Sequence, residues 1–175
     1  MVDDDEYSTT SDLPHSPRSG LERWATRAGL LLLVLVVVAG ASGLLGPRKG
    51  STSASASGYE LRVEYPSITR AGEPAPLHIQ VESAAGFGKT IELELCDDLF
   101  DDLDFQSWYP NPSAETGDAS TLTYEFDPPD GNVFEVSLDA RSAPGAFGEI
   151  RGCTVKVVDG PTELVSVSFK TWRMP

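Results

Sequence analysis

Basic residues are scarce in this chain: 13 Lys and Arg stand against 27 Asp and Glu, for a formal charge of −14. Residues 58–175 alone hold 21 acids and eight bases. Such a field repels DNA and RNA phosphates and anionic lipid headgroups, so no nucleic acid is expected as a partner. Histidine and cysteine are scarcer still, with two of each. His15 lies in a polar leader without a second ligand, and His78 falls on the polar phase of a strand pattern. Neither makes a nucleophile–base pair. No G-x-S-x-G elbow surrounds a serine. The string Ser83–Thr90, SAAGFGKT, ends like a phosphate-binding loop, but Ser83 stands where the first glycine belongs and a strand pattern follows. Neither catalysis nor a cofactor is expected.

One long apolar run is present. Ala28 to Pro47 is uncharged, with Leu30–Val38 at its heart. At about 1.5 Å rise per residue, such a run matches the roughly 30 Å hydrocarbon core of a bilayer. The expected organisation is a disordered cytoplasmic tail over 1–27, a transmembrane helix over 28–47, a flexible linker over 48–58 and a domain over 59–175. Arg18, Arg23 and Arg27 before the run, against Arg48 and Lys49 after it, vote for a cytoplasmic N terminus. This is the pattern of a single-pass signal-anchor in the plasma membrane, with the C-terminal domain outside the cytoplasm. Ala39-Gly40-Ala41 leaves the alternative of a cleaved signal peptide open. Ala39 with Gly43, and Ser42 with Gly46, have the small-xxx-small spacing of helix–helix contacts in membranes. The leader, rich in Asp, Ser, Thr and Pro, lacks apolar residues to offset chain entropy. The Gly/Ser/Ala composition of 46–58 is that of a tether.

From Tyr59 the apolar period becomes two. Tyr59/Leu61/Val63/Tyr65, Leu77/Ile79/Val81, Ile91/Leu93/Leu95, Leu122/Tyr124/Phe126, Phe134/Val136/Leu138, Val155–Val158 and Val165/Val167/Phe169 predict seven strands. Turn signals such as Ala71–Pro74, Asp127–Gly131 and Asp159–Pro161 separate them. The expected fold is all-β, an antiparallel sandwich of immunoglobulin or fibronectin-III type preceded by one transmembrane helix.

Residues 97–118, DDLFDDLDFQSWYPNPSAETGD, read as the longest connection in the domain. Long loops in compact domains are usually functional or disordered, and pure disorder would not carry so many large apolar groups. Phe100, Phe105, Trp108 and Tyr109 offer the large apolar area that binding hot spots use, and the flanking acids would steer a basic partner. Asp97, Asp98, Asp101, Asp102 and Asp104 supply hard oxygens suited to Ca²⁺, without the EF-hand order. Cys96 falls out of phase with Ile91, Leu93 and Leu95, whereas Cys153 shares the phase of Val155 and Val157. That mismatch favours two unpaired thiols, although a cysteine pair outside the cytoplasm is often oxidised.

Val63-Glu64-Tyr65-Pro66 with Arg70-Ala71-Gly72, then Phe126-Asp127-Pro128-Pro129, then Thr171-Trp172, resemble segments of a group of uncharacterised, small membrane-anchored proteins of actinobacteria. The resemblance covers most of 59–175. It implies an extracytoplasmic domain working beside a polytopic membrane protein, and it brings no catalytic residues. The functional expectation is a tethered binding or accessory module that contacts another membrane or envelope protein. An extracytoplasmic cation or solute sensor is the alternative.

Overall fold

The computed structural model describes residues 20–43, 46–145 and 148–174, so the expectations for residues 1–19 lie outside the described residues. The chain divides into two units, 1–45 and 46–175. In the first, helix α1 spans Gly20–Ala41 and buries no residue against the protein. It is long and apolar enough to cross a membrane. It begins earlier than the apolar run, because Leu21–Arg27 has no glycine or proline to break it. Residues 20–27 are therefore helical rather than part of a disordered tail. Bonds from Ser42 N–H to Val38 O and from Gly43 N–H to Gly40 O close the helix, and Gly43 turns left-handed with φ of 72°. Gly43 and Gly46 thus lie beyond the helix, which removes both expected small-residue packing pairs.

In the second unit the chain is mostly β. Strands β1 (Arg48–Ala56), β2 (Tyr59–Arg70), β3 (Leu77–Ser83) and β4 (Ile91–Cys96) come first. The short helix α2 (Asp98–Asp101) follows, then β5 (Leu103–Tyr109), β6 (Ala114–Gly117) and β7 (Thr121–Phe126). The chain ends with β8 (Val133–Ser142), β9 (Ile150–Asp159) and β10 (Thr162–Met174). Each of the seven period-two runs lies on a strand. One sheet contains them all, in the order β5-β8-β3-β2-β10-β9-β4-β7-β6, with β1 added on β2. All pairings between these strands are antiparallel except β2 with β10, where Trp172 partners Ile68 in a parallel register.

That parallel pair makes the sheet continuous, and the sheet curls on itself as a half-barrel rather than separating into the two sheets of an immunoglobulin sandwich. The curl is visible in the core. Trp108 on β5 and Tyr124 on β7 stand near opposite ends of the strand order, yet their ring centroids are 4.9 Å apart. Phe126 on β7 meets Phe134 on β8 at 5.3 Å. Between the facing flanks Leu61, Val63, Val81, Leu93, Leu95, Leu138 and Val155 are fully buried. At about 1.5–3 kcal/mol for each large apolar side chain removed from water, this continuous core is the main stabilising contribution of the domain.

Two segments depart from their sequence expectations. The supposed linker forms β1, paired with β2 from Arg48↔Ile68 to Ala56↔Tyr59. Its turn is Ser57-Gly58, both with positive φ (54° and 82°), the pattern that matches a two-residue hairpin to the twist of its strands. Small residues are needed on β1: a Cβ on Gly50 would come within 2.8 Å of the Tyr65 ring. The supposed long connection 97–118 is likewise structured, as α2, β5 and β6.

Candidate functional site

The best-formed polar constellation lies where α2, β8, β9 and β10 converge. Along β10 the inward phase runs Val165, Val167, Phe169, Thr171 and Arg173, all buried. A guanidinium at the end of an apolar stripe requires a carboxylate, because an unpaired buried charge is costly. Arg173 Nη1 donates to Asp102 Oδ1 at 2.5 Å, and Nη2 donates to Ala143 O at 2.6 Å. Asp102 sits at the C-terminal end of α2, and its other oxygen lies 3.7 Å from Arg151 Nε. Arg151 also bonds Glu149 at 2.9 Å; that bond first, then the charges of Glu149 and Asp102, raise its pKa.

Cys96 and Cys153 form a disulfide beside this ion pair, with Cα atoms 5.5 Å apart. The expectation of unpaired thiols is therefore corrected. The paired register of β4 with β9 ends at Leu95↔Val155. Cys96, the last residue of β4, still pairs with Thr121 on β7, but it lies one residue past the last β9 pair, and the chain enters helical geometry at Asp97 (φ −66°, ψ −40°).

Above the ion pair is a cavity of about 30 Å³, lined mainly by apolar groups including Leu77, Leu138 and Phe169. The buried hydroxyls of Ser142 and Thr171 also line it, and neither finds a hydrogen-bond partner among the described residues. A space of this size admits a water or two that would satisfy such hydroxyls, and it is too small for an organic solute.

Among the described residues no three His, Cys, Asp or Glu side chains come together to hold a metal. Asp102 is committed to arginines, while Asp98, Asp101 and Asp104 are exposed and Asp97 is half-buried. Asp97, Asp98, Asp101, Asp102 and Asp104, the set expected for Ca²⁺, are carried on α2, its two caps and β5.

The aromatic residues separate in the same way. Phe100, 8 % exposed, packs on Tyr124 with centroids 5.9 Å apart. Trp108, 9 % exposed, packs on Tyr124 and Phe126. Both close the core between the sheet's flanks, which leaves little of either side chain exposed to a partner. Tyr109, the next residue on β5, points the other way and is 80 % exposed. Phe105 lies on β5 opposite Arg141, and its side chain is outside the described part. Burial pushes the Tyr124 phenol up to about 12, with the Trp108 indole opposing part of the shift.

His78 shares a cross-strand row with Ser137 and Glu64, and its Nδ1 lies 2.8 Å from Ser137 Oγ. Among the described residues no carboxylate hydrogen-bonds the other ring nitrogen. The row lies on the polar face of the sheet, without the orienting third contact that nucleophilic catalysis requires.

Sequence reasoning missed Arg173, Arg151, Ser142 and Thr171. An arginine in phase with Val165, Val167 and Phe169 was the available signal for the first.

No family model matches the chain. No curated protein matches it. Among solved structures, the chain is similar to one described as "AvmM Catalyzes Macrocyclization in Alchivemycin A Biosynthesis". The identity is 15 %, the TM-score is 0.34, and the match covers 72 % of this chain and 98 % of the other. A likeness this distant carries no argument about activity.

Proposed function

We propose that the protein is a membrane-tethered accessory module: α1 anchors it, its N terminus is cytoplasmic, and an acidic β-domain works outside the cytoplasm against another membrane or envelope protein. The carrying observation is that a helix of membrane-spanning length leads, through residues 42–47, into a disulfide-closed β-domain. A disulfide is at home outside the reducing cytoplasm. In this reading the two flanks of the curled sheet serve as the layers of an immunoglobulin-type sandwich. The partner surface is the edge strand β5, where exposed Tyr109 stands with Asp101 and Asp104 nearby in sequence. The function is binding, not catalysis.

A photo-crosslinking residue at Tyr109 in native membranes tests this. A discrete adduct with a membrane or envelope protein, absent for the same residue at Glu60, is the expected result. Equal labelling at both positions removes the β5 surface, and a domain protected from protease in intact cells but digested after lysis reverses the topology.

A further inference from the structure

The sheet brings a row of four residues into register on its outer face. Arg48 on β1 partners Ile68 on β2, Ile68 partners Trp172 on β10, and Trp172 partners Ile150 on β9. Trp172 is 40 % exposed and Ile150 is 65 % exposed. Ile68 is half-buried beside them. Large apolar groups on neighbouring strands form a contiguous patch, unlike single exposed hydrophobics scattered over a surface.

The strand segments that carry this row are richer in bases than the chain as a whole. The segments 46–50, 66–70, 148–152 and 170–174 contain six bases and one acid, Glu149, in a chain of formal charge −14. Arg48, Lys49, Arg70 and Lys170 are exposed at the surface, and Arg151 and Arg173 pair with Asp102. Net charge alone argued against contact with anionic headgroups; the fold reverses that locally by gathering the bases at one end.

The third observation is covalent. Residues 42–47 separate the end of α1 from Arg48, the first residue of both β1 and the row. At about 3.3–3.6 Å per extended residue, Arg48 lies no more than about 25 Å from the end of α1. A tryptophan ringed by bases is the side-chain set that settles at a lipid headgroup region, the indole at the interface and the cations on anionic phosphates.

We propose that the row Ile68–Trp172–Ile150, with Arg48, Lys49, Arg70 and Lys170, docks the β-domain onto the bilayer surface. The occupant is the lipid–water interface of the leaflet that α1 enters. The inference rests on α1 spanning the membrane. Docking holds the domain against the membrane instead of leaving it free on its tether, and fixes which strands remain available to a partner.

The test uses the full chain reconstituted in phosphatidylcholine–phosphatidylglycerol vesicles. Because Cys96 and Cys153 are joined, an introduced cysteine is the one thiol available for a nitroxide label among the described residues. Labels are placed at Ile150→Cys, at Ser55→Cys near the far hairpin turn, and at Leu33→Cys within α1. The expected result at Ile150→Cys is loss of collisions with a water-soluble nickel complex and gain of collisions with oxygen, relative to Ser55→Cys. Raising salt or omitting phosphatidylglycerol should weaken that difference. Full nickel access at Ile150→Cys, with Leu33→Cys in hydrocarbon, overturns docking while leaving the anchor standing. Protection of Ile150→Cys from both reagents means that protein covers the row, and also overturns it. Nickel access at Leu33→Cys removes the anchor and the docking together.

Discussion

Arg173 and Asp102, 71 residues apart in the chain, join the last strand to the C-terminal end of helix α2 through a buried bond of 2.5 Å. The Arg173 side chain retains 7 % of its exposure and that of Asp102 14 %. Solvent screens such a pair little, so breaking it strands a charge in the interior. Asp102→Ala should destabilise the domain by about 3–5 kcal/mol, measured by urea unfolding. Replacing both residues with apolar ones, Asp102→Leu with Arg173→Met, should recover most of that loss. A single variant as stable as the parent would show that the pair contributes nothing to the fold.

The disulfide Cys96–Cys153 closes a separation of 57 residues. In the chain-entropy description a loop of that size contributes about 4 kcal/mol through the unfolded state. Unfolded, unreduced protein should bind no thiol reagent, and reduction should lower the unfolding midpoint correspondingly. Labelling of two thiols without reductant would show that the bond is absent in the cell.

How much of this was legible in the sequence differs by residue type. Leu61/Val63, Leu93/Leu95 and Val136/Leu138 alternate because one face of each strand is buried, so the period of two carried the strands directly. Strand β1 has the same geometry but is built of Ser, Ala, Thr and Gly, and small side chains leave no apolar period to read. Its Ser57-Gly58 turn shares the small-residue composition of a tether. Strand β5 was hidden differently: Asp104 and Gln106 beside Trp108 resemble a solvated loop until the curl of the sheet brings Tyr124 over the indole. Tertiary contacts, absent from local sequence, decided both cases.

Trp108 shows what that curl contributes. It touches Tyr124 and Phe126 across the core, from the edge strand of the opposite flank. Trp108→Ala should cost about 3–5 kcal/mol of stability, as truncation of a buried large aromatic does. Tyr109→Ala, on the exposed side of the same strand, should leave the melting temperature nearly unchanged. Equal effects of the two substitutions would contradict the inward and outward assignment of β5.

Tyr124 links the same aromatic cluster to alkaline stability. Its phenol is neutral and buried, and burial raises its pKa from 10.0 to about 12. The folded state therefore holds the proton more tightly than the unfolded state does. The stabilising contribution is fully present below the unfolded value and is lost as pH rises through the folded one, a window from 10.0 to about 12. Lys156 acts in the same direction, since its bond to Glu94 raises its pKa above 10.5 in the folded domain. Denaturant midpoints should accordingly hold steady toward pH 10 and fall beyond it. Tyr124→Phe removes the phenol while keeping the ring, so its midpoint should fall less over that window than the parent's. Tyr124 should ionise only as the domain unfolds, so its phenolate absorbance should rise together with the loss of folded structure. Ionisation of Tyr124 near pH 10 in protein that stays folded would show that its phenol is open to solvent and that the flanks of the sheet do not close over it.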